Sequence, residues 1–272
     1  MNNSTRICLG IALFLTSGEA AELTREATNA WDQYLQSATA QVKTCHERQT
    51  GCPWVETTPD AIAKLKNREV LVSGVGGTGR ISVPHGLIHD WTAAVFIPNT
   101  TLDRVLSLIQ DYDNYWTWYP PTVVESRLLS STANERKFEL RLVRKAFLVT
   151  AAFEIESEAR FYRTGKNRAY SIASSTRVRE IENYGKPEQR ILAPDTGSGY
   201  VWRSATISQY EERDGGVFLE LRALLLSREI SSSSAWFVKP LVSRMARSAL
   251  TVYLERTRRA VMSSGGTSTA KE

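Results

Sequence analysis

Between Leu87 and Ile230 the chain alternates like strand after strand, interrupted by one short helix, and it then closes with a single long amphipathic stretch from Ala235 to about Met262. That order constrains the fold more than any motif does. Strands are expected at Leu87–Ile97, Val123–Ser130, Lys137–Arg144, Val149–Tyr162, Arg168–Glu182, Tyr200–Glu212 and Val217–Ile230. Most are joined by short polar turns such as Thr164-Gly165 and Asp214-Gly215-Gly216, which are hairpin signals. Consecutive hairpins give an antiparallel sheet. Its apolar face needs a cover, and the only element long enough is the terminal helix. The inner stripe of that helix reads Leu241, Val242, Met245, Ala246, Ala249, Leu250, Tyr253, Leu254 and Thr257. Alanines in mid-stripe leave the helix too slim to fill a curved sheet, so a cavity is expected between the two.

The front of the chain divides into two parts. The start MNNSTRICLGIALFLTSGEA has one basic residue, an apolar core of about ten residues and a small-x-small end at Gly18-Glu19-Ala20, the pattern of a secretory signal peptide. That core is too short to span a bilayer, which takes roughly 20 residues. A secreted or periplasmic location follows. Cleavage after Ala20 would remove Cys8 and leave Cys45 and Cys52, which in an oxidising compartment are expected to pair. From Glu22 to Gln49 the residues Ala27, Trp31, Tyr34, Leu35, Ala38, Val42 and Cys45 recur at helical spacing. The division is thus a signal peptide over 1–20, an amphipathic helix and linker over 21–68, the sheet-and-helix domain over 69–262, and a disordered Ser/Gly-rich tail over 263–272. The segment Asn183–Gly199, rich in Pro, Gly and charge, reads as a surface insertion.

Several motifs lack the context their chemistry needs. Gly74, Gly76 and Gly79 fit G-x-G-x-x-G after the strand Glu69–Ser73, but a dinucleotide site needs a helix to open at the third glycine. Arg80-Ile-Ser-Val-Pro-His-Gly86 follows instead, so the glycines are read as a hairpin or loop and no cofactor is expected. His85 and His89 are four apart, yet on extended chain that is about 13 Å, too far for one zinc ion. No metal site and no catalytic residue are assigned. Thr100 with Asp103 resembles a capping box for a helix from Leu102 to Asp111. The formal charge of +5 is too mild for a nucleic-acid footprint.

The chain resembles the START-like superfamily, also called SRPBCC or polyketide cyclase-like. The resemblance rests on DWTAAVFIPNTTLDRVLSLIQDYDNYWTWYPPTVVESRLL near the start and on VFLELRALLLSREI with AWFVKPLVSRMARSALTVYLERTRR at the end, and covers about Gly86 to Val261. It implies an α+β helix-grip fold, a curved antiparallel sheet wrapped around the long C-terminal helix with an extra N-terminal helix added. It also implies a hydrophobic or lipid-like ligand held between sheet and helix. The family has no invariant catalytic signature, so a cyclase- or hydratase-like enzyme using the same cavity stays as one alternative. A cell-envelope interaction module working through the N-terminal helix or the insertion stays as another.

Candidate ligand contacts come from three places. The connection Asp111–Pro121 packs five aromatics into one turn, and Trp116, Trp118 and Tyr119 are either the mouth of the cavity or packing that joins helix to sheet. Period two on the strands groups Phe138, Leu140 and Leu142, then Phe153 and Ile155, then Tyr170, Ile172, Ser174, Thr176 and Val178, as walls. The helix adds Met245, Ala249 and Tyr253. In the last strand the alternation Phe218, Glu220, Arg222, Leu224, Leu226 and Arg228 mixes charge with apolar groups on one face: if interior, Glu220 and Arg222 must pair with each other or with Arg141, Arg177 or Arg203, and otherwise they belong to a solvated outer-face ladder. Arg244, Arg247, Arg256, Arg258 and Arg259 are either a solvated helix face or a dock for an anionic membrane surface.

Overall fold

The computed structural model describes residues 21–48, 58, 60–146, 149–229 and 232–263. The expected signal peptide, Cys52 and therefore the Cys45–Cys52 bridge, and the tail after Ser263 lie outside the described residues. The chain opens with β1 (Ala21–Glu22), α1 (Arg25–Arg48) and α2 (Ala61–Lys66). Next come β2 (Leu71–Gly74), β3 (Arg80–Val83) and β4 (Gly86–Pro98), then α3 (Leu102–Ile109) and α4 (Tyr115–Trp118). The remaining strands are β5 (Val123–Ser131), β6 (Glu135–Ala146), β7 (Val149–Arg163), β8 (Arg168–Glu182), β9 (Arg190–Ile191), β10 (Thr196–Gly197), β11 (Arg203–Arg213) and β12 (Gly216–Ser227), and α5 (Ser232–Ser263) ends the chain.

The main sheet runs β2-β4-β12-β11-β8-β7-β6-β5, with β3 also on β4 and β9 on β8. Every pairing is antiparallel. With α5 laid on one face, this is the helix-grip arrangement. The glycine stretch forms a 3-10 turn over Val75–Gly77 leading into β3, not a helix start. At α3 the cap is Thr101, not Thr100: its Oγ1 accepts the Arg104 N–H at 3.4 Å.

The inner face, toward α5, is fully packed at one end. Leu254, Thr257, Ala260 and Val261 of α5 are buried there. Leu254, Ala260 and Val261 join Val95 and Ile97 of β4, Leu219 of β12, Tyr210 of β11, and Leu102 and Val105 of α3 in one core. Arg247 and Arg258 do not simply face solvent. Their guanidinium groups donate to the carbonyls of Val72 and Arg68 at 2.5 and 2.9 Å, blunting the exposed edge at β2.

The outer face carries α1. Ala27, Trp31, Ala38 and Val42 are buried against Tyr170, Trp202, Ala205, Ile207, Leu224 and Leu226, and each large side chain so covered contributes about 1.5–3 kcal/mol. The last-strand alternation Phe218, Glu220, Arg222 and Leu224 lies on this face, yet Arg222 finds a partner the strand pattern does not suggest. Asp90, 2% exposed, takes the Arg222 guanidinium at 2.6 Å and the Tyr34 hydroxyl at 2.6 Å, and Arg222 also reaches Gln41 Oε1 at 3.2 Å. Glu220 accepts from Gln209 Nε2 at 3.2 Å. One polar knot therefore ties α1 to the sheet. The segment 183–199 supplies β9 and β10, and β10 pairs with β1 at the root of α1. Beyond α1, the outer face of β5 to β8 is a ladder of ion pairs, including Arg141–Glu125, Arg141–Glu154 and Lys137–Glu158.

Candidate functional site

Away from the packed end, the inner face of the sheet is built of small residues. Strand register places Ala223, Thr206, Ala173 and Ala159 side by side across four strands. The next row toward the packed end is Leu221, Ser208, Ser171 and Phe161. On the other side Ser204 donates its N–H to Ser175 Oγ at 3.0 Å, and Ser175 faces Ser157. A closed core would put leucine and valine here. Instead Ala173, Ser175, Ser204, Thr206, Ala223 and Leu225 remain half-buried. The result is a small-sided, hydroxyl-dotted stretch of the inner face that core packing leaves partly exposed, the candidate floor of a cleft. Its apolar side wall is Phe138, Leu140 and Leu142 of β6 with Phe153 and Ile155 of β7, joined by Val178.

The closed end of the cleft is a cluster of tyrosines. Tyr112 stacks on Phe138 with centroids 3.8 Å apart, Tyr115 meets Tyr119 edge-on at 5.0 Å, and Tyr119 stacks on Tyr253 at 4.7 Å. The hydroxyls are satisfied: Tyr115 donates to the Ile109 carbonyl at 2.6 Å, Tyr119 shares a bond with Thr257 at 3.0 Å, and Tyr210 shares one with Ser171 at 3.1 Å. Burial is the main cause that raises all five phenols, Tyr119 to about 12; the charge of neighbouring phenols adds to it, while hydrogen bonds such as Thr257 to Tyr119 and Tyr115 to Tyr112 work against it. They are neutral hydrogen-bonding groups at physiological pH, not bases.

These raised values set a stability limit with a definite sign. A phenol whose folded value exceeds its unfolded value of about 10 contributes stability that is complete below pH 10 and lost as pH rises through the folded values. Tyr34, raised to about 12 by burial and by Asp90, acts in the same direction. The urea midpoint is therefore expected to be flat from pH 7 to about 9.5 and to fall steeply above it, with phenolate absorbance at 295 nm appearing together with unfolding. Phenolate absorbance developing fully while the chain stays folded would contradict the buried cluster.

The aromatic turn splits between these environments. Tyr119 is buried in the tyrosine cluster, and Trp118 is half-buried with its Nε1 donating to Asp111 at 3.2 Å. Trp116 is 53% exposed and lines an open groove of about 420 Å³ on the outer side with Glu125, Arg127, Glu139 and Arg141, so it is not at the cleft mouth. On α5, Tyr253 and Ala249 are half-buried and Met245 is 39% exposed.

Strand β8 faces the opposite way from the expectation. Tyr170 and Ile172 point to the outer face and pack under α1, not into the cleft. Their neighbours Ser171, Ala173 and Ser175 form the floor. Thr176 is the extra residue of a bulge between the pairs Ser157–Ser175 and Glu156–Arg177, and it is exposed. The bulge shifts parity, which returns Val178 to the inner face opposite Ile155. Bulky residues mark the helix-covered outer face here, and small ones mark the cleft. The run Ser171-x-Ala173-x-Ser175 was the available signal.

At the other end of the cleft, His89 of β4 lies opposite Arg80 of β3 and shares a hydrogen bond with Ser227 at 2.9 Å. Burial and then the Arg80 charge push its imidazole down to about 4, so it is neutral at pH 7. Inner-face carboxylates are engaged elsewhere: Glu180 accepts from Ser198 N–H at 2.7 Å, and Glu212 from Leu102 N–H at 2.6 Å. Among the described residues no three His, Cys, Asp or Glu side chains gather as a metal site.

No family model and no curated protein matches the chain. Solved structures resemble it at low identity. The STAR-related lipid transfer protein from Xanthomonas axonopodis is 13% identical, with 68% of this chain and 99% of that chain covered at a TM-score of 0.45. Human STARD10 is 10% identical, with 68% and 73% covered at 0.43. The Zhui aromatase/cyclase from Streptomyces sp. R1128 is 12% identical, with 66% and 99% covered at 0.40.

Proposed function

We propose that this chain is an exported protein that binds a hydrophobic or amphipathic small molecule in the cleft between the inner face of the sheet and α5. The observation that carries the reading is the run of alanines, serines and Thr206 on the inner face, which stays half-buried where a closed core would be packed with larger side chains. Apolar walls with a few placed polar groups are what a small-molecule site requires. Binding is favoured over catalysis because the tyrosines are held neutral and His89 is pushed to about 4, far from the near-neutral value that suits a general acid or base. The apolar stripe of α1 is spent on the sheet, which leaves it little to offer a partner protein.

Export, the Cys45–Cys52 bridge and contact of Arg244, Arg256 and Arg259 with an anionic membrane belong to the same proposal. Native mass spectrometry of the exported protein reads most of it at once. We expect a chain beginning at residue 21, without free thiols, carrying one stoichiometric lipid-like adduct or taking up one equivalent of a fluorescent fatty-acid analogue. A bare protein that refuses such analogues would count against the cleft.

A further inference from the structure

The cleft leaves Trp116 unused. This residue is 53% exposed, and together with Glu125, Arg127, Glu139, Arg141 and Glu154 it lines the open groove of about 420 Å³ on the outer side of the sheet. That volume falls in the range of small-molecule sites, about 300–1,000 Å³. The turn that carries the indole is fixed to β5: the Trp116 N–H donates to Ser126 Oγ at 3.1 Å, and Asp113, three residues earlier, accepts the Leu128 N–H at 2.8 Å. The aromatic side of the groove is therefore positioned before any ligand arrives.

Every charged side chain that lines the groove is paired. Arg141 joins Glu125 at 2.5 Å and Glu154 at 3.3 Å, Arg179 of β8 holds the other oxygen of Glu154, and Arg127 meets Glu139 at 3.0 Å. Three carboxylates thus face three guanidinium groups, and their charges cancel. Glu154 and Glu139 are the deep members, with side chains 7% and 14% exposed, whereas Glu125 and Arg127 stand at the rim at 63% and 65%. An anion finds no spare cation here, and a cation finds no spare carboxylate. An alkyl chain would have to strip water from charged groups, which is costly. Hydrogen-bonding capacity remains: Nη1 and Nη2 of Arg141 each use one of their two N–H groups, and a paired carboxylate oxygen keeps a further lone pair.

We infer that this groove binds a neutral pyranose saccharide, one ring face laid on the Trp116 indole and the hydroxyls received by the Arg141–Glu125 and Arg127–Glu139 pairs. A pyranose with equatorial hydroxyls has an apolar C–H face and a rim that both donates and accepts. That is the complement of an exposed aromatic plane beside charged donors and acceptors of zero net charge. The match is best for β-1,4-linked glucose units, whose ring substituents are all equatorial. The groove lies on the opposite side of the sheet from the cleft and shares no lining residue with it, so either site can fail without the other.

Saturation-transfer NMR with cellotetraose tests this on the wild-type protein, on Trp116→Ala and on Trp116→Tyr. Transfer is expected to the axial protons of one sugar face, with an affinity that holds steady between about 0.05 and 0.5 M NaCl because no net charge is engaged. Trp116→Ala should weaken binding at least tenfold while keeping the wild-type thermal midpoint, and Trp116→Tyr should retain most of the affinity. Neither change should alter uptake of a fluorescent fatty-acid analogue. No transfer to cellotetraose, or transfer that Trp116→Ala leaves intact, would overturn the inference. Tighter binding of tetragalacturonate with a steep salt dependence would overturn it too, since that would mark the groove as an anion site.

Discussion

Replacing Arg222 with Met is expected to destabilise the protein by about 3–5 kcal/mol, the usual cost of stranding one member of a buried ion pair. Asp90 is 2% exposed and has Arg222 on both carboxylate oxygens, at 3.1 Å through Nε to Oδ1 and at 2.6 Å through Nη2 to Oδ2. Without the guanidinium, the Tyr34 hydroxyl is the one hydrogen-bond partner of the carboxylate left among the described residues. The pair Asp90→Asn with Arg222→Met should lose clearly less than the sum of the single changes, because the stranded charge is gone. Since the same knot ties α1 to the outer face, Arg222→Met should also speed proteolysis within residues 25–48. Additive single and double effects, read from urea midpoints, would show that the pair does not act as a unit.

The second large effect concerns the cleft. Thr206→Trp places an indole in the centre of the floor, between Ala223 and Ala173. In a closed core such overpacking costs about 1–3 kcal/mol. In a half-empty cleft the ring has room, so the thermal midpoint should stay close to wild type while affinity for a fluorescent fatty-acid analogue falls at least tenfold, about 1.4 kcal/mol. The opposite pattern, a large stability loss with unaltered binding, would mean that the inner face is a filled core and the ligand sits elsewhere.

Much of the architecture could be read from sequence because it depends on local signals. Period-two alternation and hairpin turns located the long strands to within a few residues, and the terminal amphipathic stretch became α5. Side-chain facing was legible where one face alone is apolar, as for Leu140, Leu142, Phe153 and Ile155. It failed on β8 because that strand is covered on both faces. Tyr170 and Ile172 are bulky for α1, while the smaller Ser171, Ala173 and Ser175 face the cleft, and the bulge at Thr176 changes parity midway. The helical spacing of α1 announces a buried stripe but not which surface buries it. Nor does any local pattern join Asp90 to Arg222, which lie 132 residues apart. Arg80 was equally hidden, since a single arginine after a glycine turn looks solvated until the β3–β4 pairing turns it inward.

The most direct measurement is photolabelling of the folded protein with a fatty acid carrying a mid-chain diazirine, followed by peptide mapping. Labels are expected on β8, β11 and β12 around Ala173, Thr206 and Ala223 and on α5, suppressed by excess unlabelled acid. Labels confined to exposed positions such as Trp116 and Met262, or to α1, and insensitive to competition would contradict the cleft.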